Sequence, residues 1–360
     1  MKIIIITVIV LTIFSFAYPA AMALTTPMDA LPQQSSQAPS DEPDSSTQPQ
    51  DDTASEDSSV SSSQTGGDAQ AAVKPDESIM IKVLKSDGNV YDMTMRDYLI
   101  SVVAAEMPVS FEPEALKAQA VAARTYTLYN MLVSPSHENA DVCTDYACCK
   151  AYVEIDELKT QWGGKYEEYI KKIDDAVSST DGKYMSYNNE IVLAVFHSSS
   201  AGRTENAEEV WNTGKPYLVS VDSPETADIV PNFKTTVTVT HKEFVDTVKA
   251  AYPEAYFGDD ITAWVGETVN TPSGRVDHIT IGGIDIEGTK LRDMFDLRSA
   301  YFSLDLNSLD ATFTVTGYGH GVGMSQYGAN VLALEGKNYE EILKWYYTGV
   351  ELRDDAELFE

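Results

Sequence analysis

From Thr25 to about Ser78 the chain is built mainly from Ser, Gln, Asp, Pro and Thr, with almost no large apolar side chain. Such a stretch cannot bury enough surface to offset the entropy of ordering it, so residues 25–78 are expected to be a disordered, acidic linker. Any folded domain is thereby confined to residues 79–352, with an acidic tail at 353–360.

Ahead of the linker, residues 1–24 carry Lys2 and then the run IIIITVIVLTIFSFAYPAAMA. Its length and apolarity suit a signal peptide or a single membrane anchor. Ala21-Met22-Ala23 would serve a signal peptidase, whereas a lone Lys2 on the cytoplasmic side favours an uncleaved anchor. The sequence predicts a single-pass membrane protein with an extracytoplasmic domain, or a secreted protein if the segment is removed. The formal charge of −31 argues against nucleic acid as a partner, because a phosphate-binding surface would be basic. It leaves room for a local cationic cleft.

Within the folded part, helix and strand signals mix without βαβ alternation. That predicts an α+β fold, with helices and antiparallel strands around one substrate cleft. Residues 79–85 and 89–93 read as a hairpin, and Thr94 as the cap of a following helix. Pro113 suits the first turn of a second, alanine-rich helix. Residues 184–187 and 190–197 read as another hairpin through Asn188-Asn189, with a continuously apolar second strand expected at the centre of a sheet. Two helices, near 325–335 and 339–347, are expected close to the C-terminal end.

Residues 94–108 read TMRDYLISVVAAEMP. Leu99, Val102, Val103 and Glu106 recur at three- and four-residue spacing, so Glu106 continues an apolar stripe. A desolvated carboxylate has a raised pKa, and a carboxyl group that keeps its proton near neutrality can act as a general acid. The plainer reading is a surface Glu near a helix end. Lys117 and Arg124 are seven apart on the second helix and are expected either to face the same cleft or to lie on a solvated helix face.

Three cysteines, Cys143, Cys148 and Cys149, lie close to His137. His and thiolates favour zinc. Adjacent cysteines rarely both bind one ion, and a disulfide or buried free thiols are the alternatives. The loop FHSSSAGRT at 196–204 offers His197, Ser199 and Ser200 as substrate contacts, a binding loop being favoured over a Ser/His nucleophile. The run GYGHGVGMSQYG at 317–328 is either a close-approach loop presenting His320, Ser325, Gln326 and Tyr327 to a sugar, or a structural glycine turn.

The segments YLISVVAAEMP, EALKAQAVAARTY, FHSSSAGRTENAEEVW and GYGHGVGMSQYGA, in that order, resemble the stage II sporulation protein D family over residues 80–350. The resemblance implies a peptidoglycan lytic transglycosylase that cuts the β-1,4 bond between N-acetylmuramic acid and N-acetylglucosamine without adding water. It implies Glu106 as the catalytic acid and carries Lys117 and Arg124 over as functional positions. It implies a zinc ion held by His137, Cys143 and Cys149. This chain has Cys148-Cys149-Lys150 where the family usually has His-Cys-Gln, which puts position 148 and the fourth ligand in question. The implied partners are glycan strands freed of stem peptides, an amidase and a membrane scaffold of the engulfment machinery. Two other readings stand beside it. One is a non-catalytic enhancer of an amidase, and the other a wall peptidase using Cys143 or Cys149 with His197.

Overall fold

The computed structural model describes residues 76–359; the apolar run at 1–24 and nearly all of the linker lie outside them. The expected first hairpin is present: β1 (Met80–Leu84) and β2 (Val90–Thr94) pair antiparallel with Met80 opposite Thr94. Thr94 caps α1 (Met95–Glu106), its hydroxyl accepting the Asp97 N–H at 3.1 Å. Pro113 opens α2 (Pro113–Leu132) in the first turn, where a missing N–H is harmless. Next come β3 (Val142–Cys143), parallel to β1, then α3 (Ile155–Trp162) and α4 (Tyr166–Ser178).

β4 (Lys183–Tyr187) turns into β5 (Glu190–Ile191) through Asn188 and Asn189, at φ of 51° and 68°, as a two-residue hairpin turn requires. The long central strand expected over 190–197 is not formed. Residues 192–195 stay mostly buried but leave the ladder, and β6 (Phe196–His197) pairs elsewhere. Apolarity there reports burial between helices, not membership of a sheet. A short α5 (Ala207–Trp211) follows.

The chain then builds a second core. β7 (Lys234–Thr240), α6 (His241–Ala251), β8 (Val265–Asn270), β9 (Val276–Ile281), β10 (Ile284–Glu287), α7 (Gly288–Met294), β11 (Phe302–Leu306) and β12 (Asp310–Thr316) contribute two antiparallel sheets, ordered β11-β12-β7 and β10-β9-β8. Phe244, Phe295 and Phe313 meet at its centre with ring centroids 4.8 to 6.3 Å apart. This excursion closes on itself, because Gly317 N–H donates to Phe233 O at 2.8 Å.

β13 (Met324–Ser325) then lies parallel to β6, and α8 (Gln326–Leu334) and α9 (Tyr339–Tyr346) pack on α2. With α1, α4 and β4 also against it, α2 is the axis of the first core, and its alanines let these neighbours approach closely. The architecture is α+β, with two parallel pairs, β1–β3 and β6–β13, among antiparallel ones.

Both ends of the folded part extend past their sequence-based limits. Asp76–Ser78 form a 3-10 turn with Asp76 buried, and β14 (Glu351–Asp354), paired with β4, runs two residues into the expected acidic tail. Among the described residues no helix is long and apolar enough to cross a membrane.

Candidate active site

Glu106 is the last residue of α1 and is half-buried. Its Oε1 accepts the Ala151 N–H at 2.9 Å and its Oε2 accepts a Gln326 Nε2–H at 3.0 Å. The apolar stripe alone does not single it out, since α1 is buried nearly all round its axis. Two segments remote in sequence enclose it: residues 150–151 and the first turn of α8. Burial raises the Glu106 pKa above the ordinary carboxylate value; Lys150 and the two hydrogen bonds pull the other way without cancelling it.

Lys150, buried, is the cation that acts on Glu106. Its Nζ sits 4.0 Å from the Tyr126 ring centroid and 3.9 Å from that of Phe196. Burial pulls its own pKa down to about 8.

The two cations expected from sequence are engaged elsewhere. Lys117 pairs with Glu114 at 2.7 Å, one turn back on α2, and is not among the groups acting on Glu106. Arg124 is completely buried. Its Nε and Nη2 fork Asp76, with Nη2–Oδ2 at 2.5 Å, and it also donates to Lys183 O and Val177 O at 3.2 and 3.3 Å. It staples α2 to the N-terminal turn and to β4, out of reach of substrate. Seven residues along α2 do share a face, but that face is covered.

Most of the expected binding loop is also internal. His197 is buried, with Nδ1 at 3.2 Å from Val322 O and Nε2 at 2.7 Å from the Ser200 hydroxyl. His320 has Nε2 at 3.0 Å from Phe196 O and accepts the Val322 N–H on Nδ1 at 3.1 Å. These contacts assign Nδ1–H to His197 and Nε2–H to His320, both rings neutral. Burial accordingly drives both pKa values down, that of His320 to about 3. Ser199, Ser200 and Ser325 are buried. Ser200 N–H and the Ser325 hydroxyl donate to Glu225 Oε1, both at 2.5 Å, and Ser325 caps α8 by accepting the Gly328 N–H.

The glycines serve this packing. A Cβ on Gly317 would lie 2.8 Å from Ser199 O, one on Gly323 2.1 Å from Val195 O, and both residues have positive φ. The loop is therefore a structural glycine turn. Of the candidates His197, Ser199, Ser200, His320, Ser325, Gln326 and Tyr327, the structure brings Gln326 to Glu106. Tyr327, beside it, is half-buried with its ring edge-on to Phe111 at 5.0 Å. A small cavity of about 20 Å³, with room for a single water, lies beneath the loop between Glu205, Arg275 and His320 and does not include Glu106.

The third constellation is a compact set of four metal-ligating groups. One ligand atom each from His137, Cys143, Cys148 and Cys149 lie within 4.8 Å of one another. His137 Nε2 is 3.3 Å from Cys149 Sγ and 3.6 Å from Cys148 Sγ. A tetrahedral ion with bonds of about 2.3 Å to sulfur holds its ligands about 3.8 Å apart, so the set fits one with little contraction. Adjacent Cys148 and Cys149 both reach it because a tight turn bends the chain there, both of their N–H groups donating to Asp145 O. Position 148, left in question by the sequence, thus stands with His137, Cys143 and Cys149 in one set. All three thiols are free and none faces His197, whose ring is fully engaged, so the cysteine-peptidase reading fails.

A family model described as stage II sporulation protein matches residues 85–187, which contain Glu106, Lys150 and the His/Cys set. Stage II sporulation protein D of Bacillus subtilis (strain 168) is 42% identical over 270 residues, covering 74% of this chain and 76% of that protein. The chain belongs to the stage II sporulation protein D family. The counterpart in Bacillus amyloliquefaciens is 39% identical over 271 residues, 75% of this chain and 77% of the relative. An amidase enhancer of Bacillus subtilis (strain 168) is 28% identical over 306 residues, 71% of this chain and 40% of that longer protein. The stage II sporulation protein D family is thus a sporulation family related to an amidase enhancer. Sequence reasoning missed Lys150 and Ala151 as neighbours of Glu106. The one signal available was the departure from the family pattern at Cys148-Cys149-Lys150.

Proposed function

We propose that the protein is a lytic transglycosylase of the cell wall, acting on the bond between N-acetylmuramic acid and N-acetylglucosamine during sporulation. The observation that supports this reading is the environment of Glu106: a carboxyl group with a raised pKa, oriented through both oxygens, beside a single buried cation. In this reading Glu106 protonates the glycosidic oxygen as the C1–O bond breaks. The carboxylate left behind removes the proton from the muramoyl C6 hydroxyl, whose oxygen closes on C1 to give the 1,6-anhydro end. One carboxyl serves as acid and then base, so no second carboxylate is required, unlike the pair that hydrolytic glycosidases use. The groups acting on Glu106 are a lysine, an amide side chain and a backbone N–H; none is acidic.

The His137, Cys143, Cys148 and Cys149 set is suited to zinc, since sulfur-rich tetrahedral sites select it. A bound ion would fix the turn that runs into Lys150 and Ala151, and so hold the donor and the cation that orient Glu106. Residues 1–24 would anchor the domain outside the cell membrane, with 25–75 as tether. An amidase that strips stem peptides, and a membrane scaffold, are the proposed partners. The related amidase enhancer keeps one second reading open, a wall-binding protein without chemistry. Replacement of Glu106 by Gln separates the two. Transglycosylation predicts a loss of roughly 10²–10⁴-fold in release of 1,6-anhydro ends from purified glycan strands, followed by mass spectrometry. Unchanged release would overturn it.

A further inference from the structure

We propose that Arg298, stacked on Tyr318 of the glycine turn, is the receptor for a sugar carboxylate: the lactyl carboxyl group of a muramic-acid residue whose stem peptide has been removed. This rests on the glycan reading above and deepens it. In a chain with a formal charge of −31, arginines are expected to be occupied, and Arg96, Arg124, Arg203, Arg275 and Arg353 each face a carboxylate within 4.0 Å. Among the described residues Arg298 has no such partner, and its Nε is buried without any hydrogen bond. Its guanidinium carbon lies 4.0 Å from the Tyr318 ring centroid. Stacking engages the face of a guanidinium, and with Nε buried it is the two terminal nitrogens of Arg298 that are left for a planar anion. Among the described residues Arg292, near the end of α7, also has no carboxylate partner, but its Nε is occupied, donating to Leu297 O at 3.3 Å.

The position suits a substrate contact. Tyr318 exchanges two backbone hydrogen bonds with Ser199, at 3.1 and 2.9 Å, and Tyr327 N–H donates to Ser198 O at 3.1 Å. Gln326, next to Tyr327, donates to Glu106. A continuous path of contacts thus links Arg298 to the candidate acid through Tyr318, residues 198–199 and residues 326–327. The Arg298 charge reaches both rings, lowering the pKa of Tyr318 and Tyr327 against the effect of burial. Exposed Tyr146, from the cysteine loop, acts on Tyr318 as well, so the two loops converge here. Aromatic faces beside an unpaired guanidinium make a surface for an acidic sugar. In an alternating glycan of this kind the muramic lactyl group is the ionisable substituent, and it is ionised only when no peptide is attached.

The test measures binding without turnover, on the full chain in detergent carrying Glu106→Gln. The probes are peptide-free glycan strands, the same strands with lactyl carboxyls converted to methylamides, peptide-bearing strands, and a chitooligosaccharide of equal length. The expected result is roughly tenfold to hundredfold tighter binding of the peptide-free strands than of the other three. Adding Arg298→Gln should erase that preference while leaving chitooligosaccharide binding unchanged, and Arg298→Lys should retain part of it. Equal binding of free and amidated strands by the parent protein, which needs no Arg298 variant to fold, would overturn the proposal. So would a preference that survives Arg298→Gln. Tightest binding of peptide-bearing strands would assign the anion to the stem peptide and overturn the lactyl assignment. Because no product is measured, failure here is distinct from failure of the transglycosylase reading.

Discussion

A carboxyl group that must give up and recover a proton in one turnover needs its charged and neutral forms close in energy, and at Glu106 two opposed influences set that balance. Burial favours the acid and Lys150 favours the carboxylate. In the proposed reaction the acid form acts first, so the rate should fall as pH rises through the Glu106 pKa. Replacing Lys150 by Met removes the largest of the influences that lower this pKa, the hydrogen bonds from Ala151 and Gln326 remaining, and the alkaline limb of the pH–rate profile should move to higher pH. A limb that stays in place or moves down would remove Lys150 from the site. Arg124 belongs to stability instead. Arg124→Met leaves the buried Asp76 unpaired and should cost about 3–5 kcal/mol in urea unfolding. Glycan binding by the folded fraction should be unchanged. At this scale the sequence was legible where local pattern decides, as for Thr94 and Pro113, and for Glu106 as a partly desolvated carboxyl. It misplaced Lys117 and Arg124 because helical spacing tells which residues share a face and not whether that face meets solvent. Lys150 was hidden because its nearness to Glu106 depends on how a long irregular loop folds back.

Between residues and molecule, the loops behave as packed elements. The glycine run at 317–328 looks like a ligand cradle in sequence because close approach and positive φ are needed for either purpose; in the fold the approaching group is the chain's own 195–201 segment. Gly323→Ala should therefore destabilise the protein by roughly 3 kcal/mol, combining a contact at 2.1 Å to Val195 O with an unfavourable φ of 71°. Gly336→Ala, also at positive φ but with nothing within 4 Å of the new methyl, should cost only about 1 kcal/mol. Thermal or urea melts of the two variants separate clash from strain. In the cysteine loop, burial and the neighbouring thiols raise the Cys149 pKa to about 12, so Cys149 would have to give up its proton on binding a metal. Cys148→Ser should then weaken zinc retention against a chelator by an order of magnitude or more, read by metal analysis of the dialysed protein. Equal retention would return the site to three protein ligands.

For the whole molecule, the buried neutral histidines couple folding to acidity. Their pKa values are lowered on folding, so their contribution is present above the unfolded value of 6.5 and is lost as pH falls through the folded values, about 3 for His320. Both rings join the 196–204 segment to the glycine turn, so protonation attacks a junction between distant parts of the chain. Stability should fall below pH 6.5 with a slope of up to about 2.7 kcal/mol per pH unit from the two protons, and His320→Gln should reduce that slope. Denaturant melts between pH 4 and pH 7 would measure it, and an identical slope in the variant would remove His320 from the account. The hydrogen bond from Gly317 to Phe233 has a wider consequence. The second core leaves and rejoins the first at a single point, with its boundary strands β7 and β12 side by side. Such a segment can be exchanged as a cassette. Glu106 and its partners lie on one side of that seam and Arg298 on the other. If both proposals hold, evolution could retune which glycan is accepted by altering one module and leave the proposed acid in the other alone.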